Sequence, residues 1–392
     1  MLARRSPSER ASATIGSGVG RSLTTTASPP SSARVARQPA VEPVGEEADR
    51  RQRGHREHHR DDEQAQLAGA EVALQLAQGD RHDGDVHLAT LTRTLHTTAS
   101  NDMPRRGCSN RCMTLPSIFL SHGSPMIALQ PGAAGVFMQR LGPTLDAAFG
   151  RPKAILAVSA HTTARVPVLL GAPRHETIHD FGGFPQPLYE LRYDAPGDPA
   201  LAARAEGLLR ARGIAVQRLD DAGGLDHGIW TALRHVYPAA DVPVVPLAWV
   251  ASDAPARLFA VGEALAPLAD EGVLVLGTGS ITHNLRLFFG GRPAPDAPEI
   301  PESAAFRGWF AGHAAARDWD ALFDYRARAP HAAFMHPTDE HLLPWYVAAG
   351  AGGREARPVR LHESVDMGSL GMDAYAFGPE AATLERALAV RS

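Results

Sequence analysis

The chain has almost no cysteine. Cys108 and Cys112 are the only two in 392 residues, too few for a disulfide scaffold or a thiolate metal cluster, which fits a reducing compartment. No apolar run approaches the ~20 residues that a membrane-spanning helix requires. A basic stripe interleaved with aromatics is also missing: 39 Lys and Arg stand against 43 Asp and Glu. That removes the electrostatic footprint of a nucleic-acid binder. These absences predict a cytoplasmic protein that acts on a small molecule, with no nucleic acid and no membrane as partner.

Composition divides the chain near Met113. Residues 1–112 carry 16 Arg and 14 acidic residues with only scattered apolar positions, and they show no strand pattern beyond one short helical stretch at 64–78. This segment reads as a disordered extension. The Arg-, Ser- and Thr-rich first 40 residues, with Glu9 as the single acid, also fit a transit peptide. A third reading starts translation at Met113, directly before the first strand. His55-Arg-Glu-His-His-Arg60 reads as a solvated polar tail. Residues 113–392 carry 23 basic and 29 acidic residues and are long enough for one deep core.

Within that region apolar runs alternate with helical spacing. Strands are expected at 116–120, 154–160, 166–170, 214–219, 242–250, 272–277 and, at an edge, 357–361. Helices are expected at 132–148, 198–212, 227–236, 255–269, 302–317, 320–328 and up to 349. The alternation predicts a single α/β domain, a central mostly parallel β-sheet flanked by helices.

Chemistry-bearing residues collect where these elements end. Three apolar runs each lead into a polar turn with a histidine: His122 after Leu120-Ser121, His161 after Val158-Ser-Ala160, and His283 after Gly277-Thr-Gly-Ser280. In open α/β sheets, ligands bind beyond the carboxyl ends of the strands. Asp226-His227 starts a helix, where an adjacent acid can orient the ring, and Glu340-His341 starts another. Separations among these five histidines are too large for a short metal motif. Imidazole with carboxylate and no thiolate suits iron(II) or zinc. The loop His179-Asp-Phe-Gly-Gly-Phe-Pro185, running on to Tyr189, reads as a pocket cover bearing His179, Phe181 and Phe184. Arg286 is suited either to a substrate carboxylate or to a structural ion pair. His175, His235, His313, His331 and His362 lack such surroundings and read as surface or helix residues.

Seven signatures occur in order: Ser121-His-Gly-Ser-Pro125, Ser159-Ala-His161, His179-Asp-Phe-Gly-Gly-Phe-Pro185, Leu225-Asp-His-Gly228, His283-Asn-Leu-Arg286, Pro337-Thr-Asp-Glu-His341 and Met367-Gly-Ser-Leu370. In these, Met113 to about Phe377 resembles the class III extradiol ring-cleavage dioxygenases, in the 4,5-DOPA extradiol dioxygenase-like branch. Residues 1–112 have no counterpart. The resemblance implies one divalent metal ion per subunit, Fe(II) for turnover with Zn(II) able to occupy the same site, and the matching metal positions are His122, His161, His283 and His341. By the pattern of protocatechuate-cleaving relatives, Glu340 is an alternative ligand and His283 an acid–base residue. His227 matches the histidine that contacts the catechol. The implied reaction uses O₂ to open the ring of a catechol, the 4,5-DOPA type first. Two other readings stay open. A zinc hydrolase would activate water on the metal, and an interaction protein could use the same fold without catalysis.

Overall fold

The computed structural model describes residues 114–291 and 293–390. The reading of 1–112 as a disordered extension and the helix expected at 64–78 lie outside the described residues. Ten strands are present among them: β1 (Ser117–Ser121), β2 (Ala154–Ser159), β3 (Val168–Leu170), β4 (Gln217–Leu219), β5 (Val244–Ala248), β6 (Val273–Gly279), β7 (Val359–His362), β8 (Val365–Asp366), β9 (Leu370–Gly371) and β10 (Ala374–Phe377). Eight of them make one sheet in the order β4-β3-β5-β2-β6-β1-β10-β7, and β8 pairs with β9 separately. The central four, β5-β2-β6-β1, run parallel, while β10, β7 and the β3–β5 pair introduce antiparallel neighbours. The sheet is therefore mixed but mostly parallel.

Every residue of the four central strands is buried, as expected where helices cover both faces. Side chains alternate across the sheet, and the two faces feed separate cores. Phe119, Leu156, Val158 and Val275 point to one; Ile118, Leu120, Ile155, Ala157, Leu274 and Leu276 point to the other. The longer helices are α1 (Gly132–Phe149), α2 (Pro199–Ala211), α3 (His227–Val236), α4 (Pro255–Leu265), α5 (Pro301–Ala316), α6 (Pro344–Gly352) and α7 (Ala381–Val390). The first face packs under α2, α4, α5 and α6, and the second under α1, α3 and α7. None of the described helices is long and apolar enough to cross a membrane.

Departures from expectation have identifiable causes. The expected helix at 320–328 is two short ones, Trp319–Phe323 and Tyr325–Arg328. The first is capped by the Asp318 side chain, and Asp324 separates the two. The strand expected at 214–219 shortens to β4, because Ile214 and Val216 turn into the core before pairing begins. Sequence reasoning missed β10, whose four residues Ala-Tyr-Ala-Phe become a strand only by pairing with β1 and β7. His175 is neither a surface nor a helix residue, while His235 is on helix α3 with its side chain buried. His175 is buried between the Val244 carbonyl and the Gly224 amide, and His235 bonds the Ile127 carbonyl.

Because β2, β6 and β1 are adjacent and parallel, their carboxyl ends open on the same edge. The segment before α6 crosses that edge closely: the Ser280 amide donates to the His341 carbonyl at 2.8 Å. A β-carbon on Gly279 would sit 2.0 Å from the same carbonyl oxygen. Substituting Gly279→Ala should lower the unfolding free energy by about 1–3 kcal/mol or more, the usual cost of overpacking. The control Gly182→Ala has open space around it and should stay within about 0.5 kcal/mol. Urea denaturation of the two variants checks both.

Candidate metal centre

His122, His161, His227, His283 and His341 converge in one pocket at this edge. Ring centroids of His122 lie 5.0, 5.4 and 5.5 Å from those of His161, His227 and His341. His161 is 4.0 Å from His227 and 4.9 Å from His341, and His283 stacks flat on His341 at 3.4 Å. Two trios of ligand atoms result, His122–His161–His227 and His283–Glu340–His341, each within 4.8 Å.

Each ring is held by its own element. The His122 amide donates to the Gly279 carbonyl, tying the ends of β1 and β6 together. Behind it, Ser121 donates through both its amide and its hydroxyl to the Asp373 carbonyl. Arg307, itself buried, grips the Asp373 carboxylate with two nitrogens at 2.8 and 3.0 Å. His161 is anchored through its amide to the Ser159 hydroxyl. Asp226 caps α3 by accepting from the Ile229 amide, and it also accepts from the Ser159 and Thr162 hydroxyls. That joins the start of α3 to the exit of β2. Gly228 allows it, since a β-carbon there would come within 2.6 Å of the Ser159 hydroxyl and 2.9 Å of the His122 ring.

Hydrogen bonds on the outer side fix which ring nitrogen faces inward. The Thr278 hydroxyl has one proton, and it donates to the Gly228 carbonyl at 2.7 Å. The same oxygen lies 2.7 Å from His122 Nδ1 and must accept there, so His122 carries its proton on Nδ1 and presents the Nε2 lone pair to the pocket. His341 Nδ1 likewise donates to Glu340 Oε1 at 3.0 Å, and His227 Nδ1 to Asp180 Oδ1 at 3.0 Å. Carboxylate or hydroxyl partners on the outer nitrogen are how metal-binding histidines are commonly oriented.

The Nε2 atoms of His122 and His161 are 3.1 Å apart. Two imidazoles bound to one ion at right angles, each with a bond of about 2.1 Å, would place these atoms about 3 Å apart. The donor set therefore fits a single divalent ion. Burial, with mutual repulsion among the rings, holds His122, His161, His283 and His341 well below the ordinary imidazole value. Neutral rings of that kind are the form that ligates. Burial also opposes charge on His227, but the Asp180 charge and hydrogen bond outweigh it and leave His227 raised. Burial and the Asp180 charge push Asp226 up to about 6, against the hydroxyls that stabilise its carboxylate.

The other residues expected at the site are distributed around it. Phe181 sits edge-on to His227 at 5.6 Å, with Phe184 behind it at 5.3 Å. His179 stands one layer out, its Nε2 on the Leu191 carbonyl and its ring beside Phe181, Tyr189 and Trp230. Arg286 is exposed on the first turn of the short helix Leu285–Gly291. Sequence reasoning missed Asp180 and Thr278. Asp180 lies inside a loop already singled out, and Thr278 at the end of β6 where an exit turn was expected, but the ring each one meets is 47 or 156 residues away.

Comparison with known proteins supports the same reading. Residues 116–378 match the family model described as the catalytic LigB subunit of aromatic ring-opening dioxygenase, a span that includes every site residue named above. The chain is 36% identical over 262 residues to a 4,5-DOPA dioxygenase extradiol of Beta vulgaris, covering 67% of this chain and 96% of that one. It is 37% identical over 264 residues to a protein of the same name from Escherichia coli strain K12, covering 66% and 93%. The crystal structure of an uncharacterized protein from Escherichia coli K12 superposes with a TM-score of 0.54 at 31% identity, covering 67% of this chain and all of that one.

Thr278→Val keeps the shape of the side chain but removes the acceptor for His122 Nδ1. It should weaken metal affinity by roughly 10–100-fold, the usual cost of losing such a partner, whereas Thr278→Ser should remain close to the parent. Competition with a chromogenic chelator measures both.

Proposed function

The chain belongs to the family of the catalytic LigB subunit of aromatic ring-opening dioxygenases, and on that premise we propose that it cleaves a substituted catechol of the 4,5-DOPA type with Fe(II) as its working metal. Extradiol ring cleavage is the activity of the family. The metal site in this reading is supported by one observation: Thr278, Glu340 and Asp180 partner Nδ1 of His122, His341 and His227, which leaves Nε2 as the nitrogen free to act. Names of the relatives point to the same substrate type. We assign the catalytic domain to residues 113–392 and the setting to the cytoplasm.

In this reading His122, His161, His283 and His341 hold the ion, and Glu340 orients His341 instead of ligating. Fe(II) held there would supply a binding site for the diol and the redox capacity toward O₂ that zinc lacks. His227 does the proton chemistry. Its Nδ1–H stays on Asp180, so Nε2 can accept a proton from a diol hydroxyl and later return one to an oxygen of the opening ring. Phe181 forms an apolar wall beside the His227 ring, and Phe184 backs it. His179 braces the wall, and the exposed Arg286 is available to a substrate carboxylate at the rim.

Reconstitution without oxygen, using Fe(II) in one sample and Zn(II) in another, tests the proposal. With iron, addition of a substituted catechol and air should give catechol-dependent oxygen uptake and a yellow ring-opened product; with zinc it should give neither. Hydrolysis that survives zinc replacement would favour a hydrolase. Absence of oxygen uptake across a catechol panel, with stoichiometric iron bound, would refute the ring-cleavage proposal.

A further inference from the structure

The loop over the pocket does more than wall it. Residues 176–178 run beside the chain leading into α3: Leu225 donates its amide to the Glu176 carbonyl, Ile178 donates to the Leu225 carbonyl, and Thr177 and Leu225 form a parallel bridge. Trp230, fully buried on α3, donates its indole N–H to the Ile178 carbonyl at 2.9 Å. Asp180, two residues on, is thereby fixed in register with His227. Its Oδ1 accepts twice from that residue, from the backbone amide at 2.9 Å and from ring Nδ1 at 3.0 Å. Two bonds to one carboxylate oxygen define both where the histidine sits and how its ring is turned. Oδ2 lies 3.9 Å from His161 Nδ1, beyond hydrogen-bond reach.

The geometry points to Asp180 as the positioning residue for His227, fixing where that histidine sits beside His161 and which way its ring is turned. Asp226, although adjacent in sequence, bonds the Ser159 and Thr162 hydroxyls and the Ile229 amide, and makes no such bond to the His227 ring. Asp180 therefore acts through His227, and its effect should vanish when that ring is absent. The oxygen, more than the charge, is what this role requires. An asparagine could keep both bonds through its amide oxygen.

The kinetic part of this inference rests on the ring-opening proposal, so the test has one arm that does not. In apo protein, nitrogen-edited NMR of the histidine rings should show a protected His227 Nδ1–H that Asp180→Ala removes and Asp180→Asn retains. Persistence of the signal in Asp180→Ala would overturn the assignment whatever the enzyme does. In iron-loaded protein, Asp180→Ala should lower kcat on the order of 10²-fold, the scale of a small misplacement of a reacting group. Its KM should move far less and its iron content should be unchanged. Asp180→Asn should recover most of the rate. In a His227→Ala background, Asp180→Ala should cost nothing further. Additive losses in the double variant, iron loss in Asp180→Ala, or an Asp180→Asn as slow as Asp180→Ala would each refute the role. If the parent protein opens no catechol ring, the NMR result still decides the positioning claim.

Discussion

Strand spacing is the constraint on which the site depends. Neighbouring strands lie about 4.8 Å apart, so the exits of β1 and β2, with β6 between them, are about 10 Å apart at the backbone. Their histidine rings nevertheless meet with nitrogens 3.1 Å apart, so both lean inward over the end of β6. That strand has to be thin there, and it ends Gly277-Thr-Gly279. The glycines let the segment before α6 cross directly above. The lone threonine between them supplies the hydroxyl that fixes His122. A side chain at Gly279 would push the backbone of His341 away from the end of β6.

Around that meeting point the five histidines differ by what stands on their outer nitrogen. A hydroxyl tied to a carbonyl holds His122 by Nδ1 and turns Nε2 inward. A carboxylate two bonds deep in its own loop holds His227 in both position and orientation. Buried polar networks of this kind are stable only when every member is satisfied. Ser159, Thr162 and Asp226 meet that condition by linking the exit of β2 to the start of α3. On the other flank, the Arg307–Asp373 pair secures the carbonyl that receives Ser121. The pocket is therefore braced from both sides of the sheet.

Much of this was legible in the residues. Apolar runs ending in histidine gave the strand ends, and Asp226-His227 gave the start of α3, because both signals are local. The mostly parallel sheet followed from the alternation of strands and helices. Other features are decided over long range. Ala374–Phe377 has no strand character apart from its two partners, and Thr278 gains meaning only opposite His122. Buried His175 reads as a surface or helix residue because the carbonyl it bonds, on Val244, is 69 residues distant. Asp180 was passed over for its aromatic neighbours, since its partner lies 47 residues ahead.

A crystal structure of the iron-loaded protein with a catechol bound in the absence of oxygen tests the account most directly. It should show one ion per chain on Nε2 of His122 and His161, completed from His283 and His341, with both diol oxygens bound. His227 should lie off the metal, its Nε2 within hydrogen-bond reach of the diol and its Nδ1 still on Asp180. An ion held by the His122–His161–His227 trio, with His283 and His341 taking no part, would contradict it.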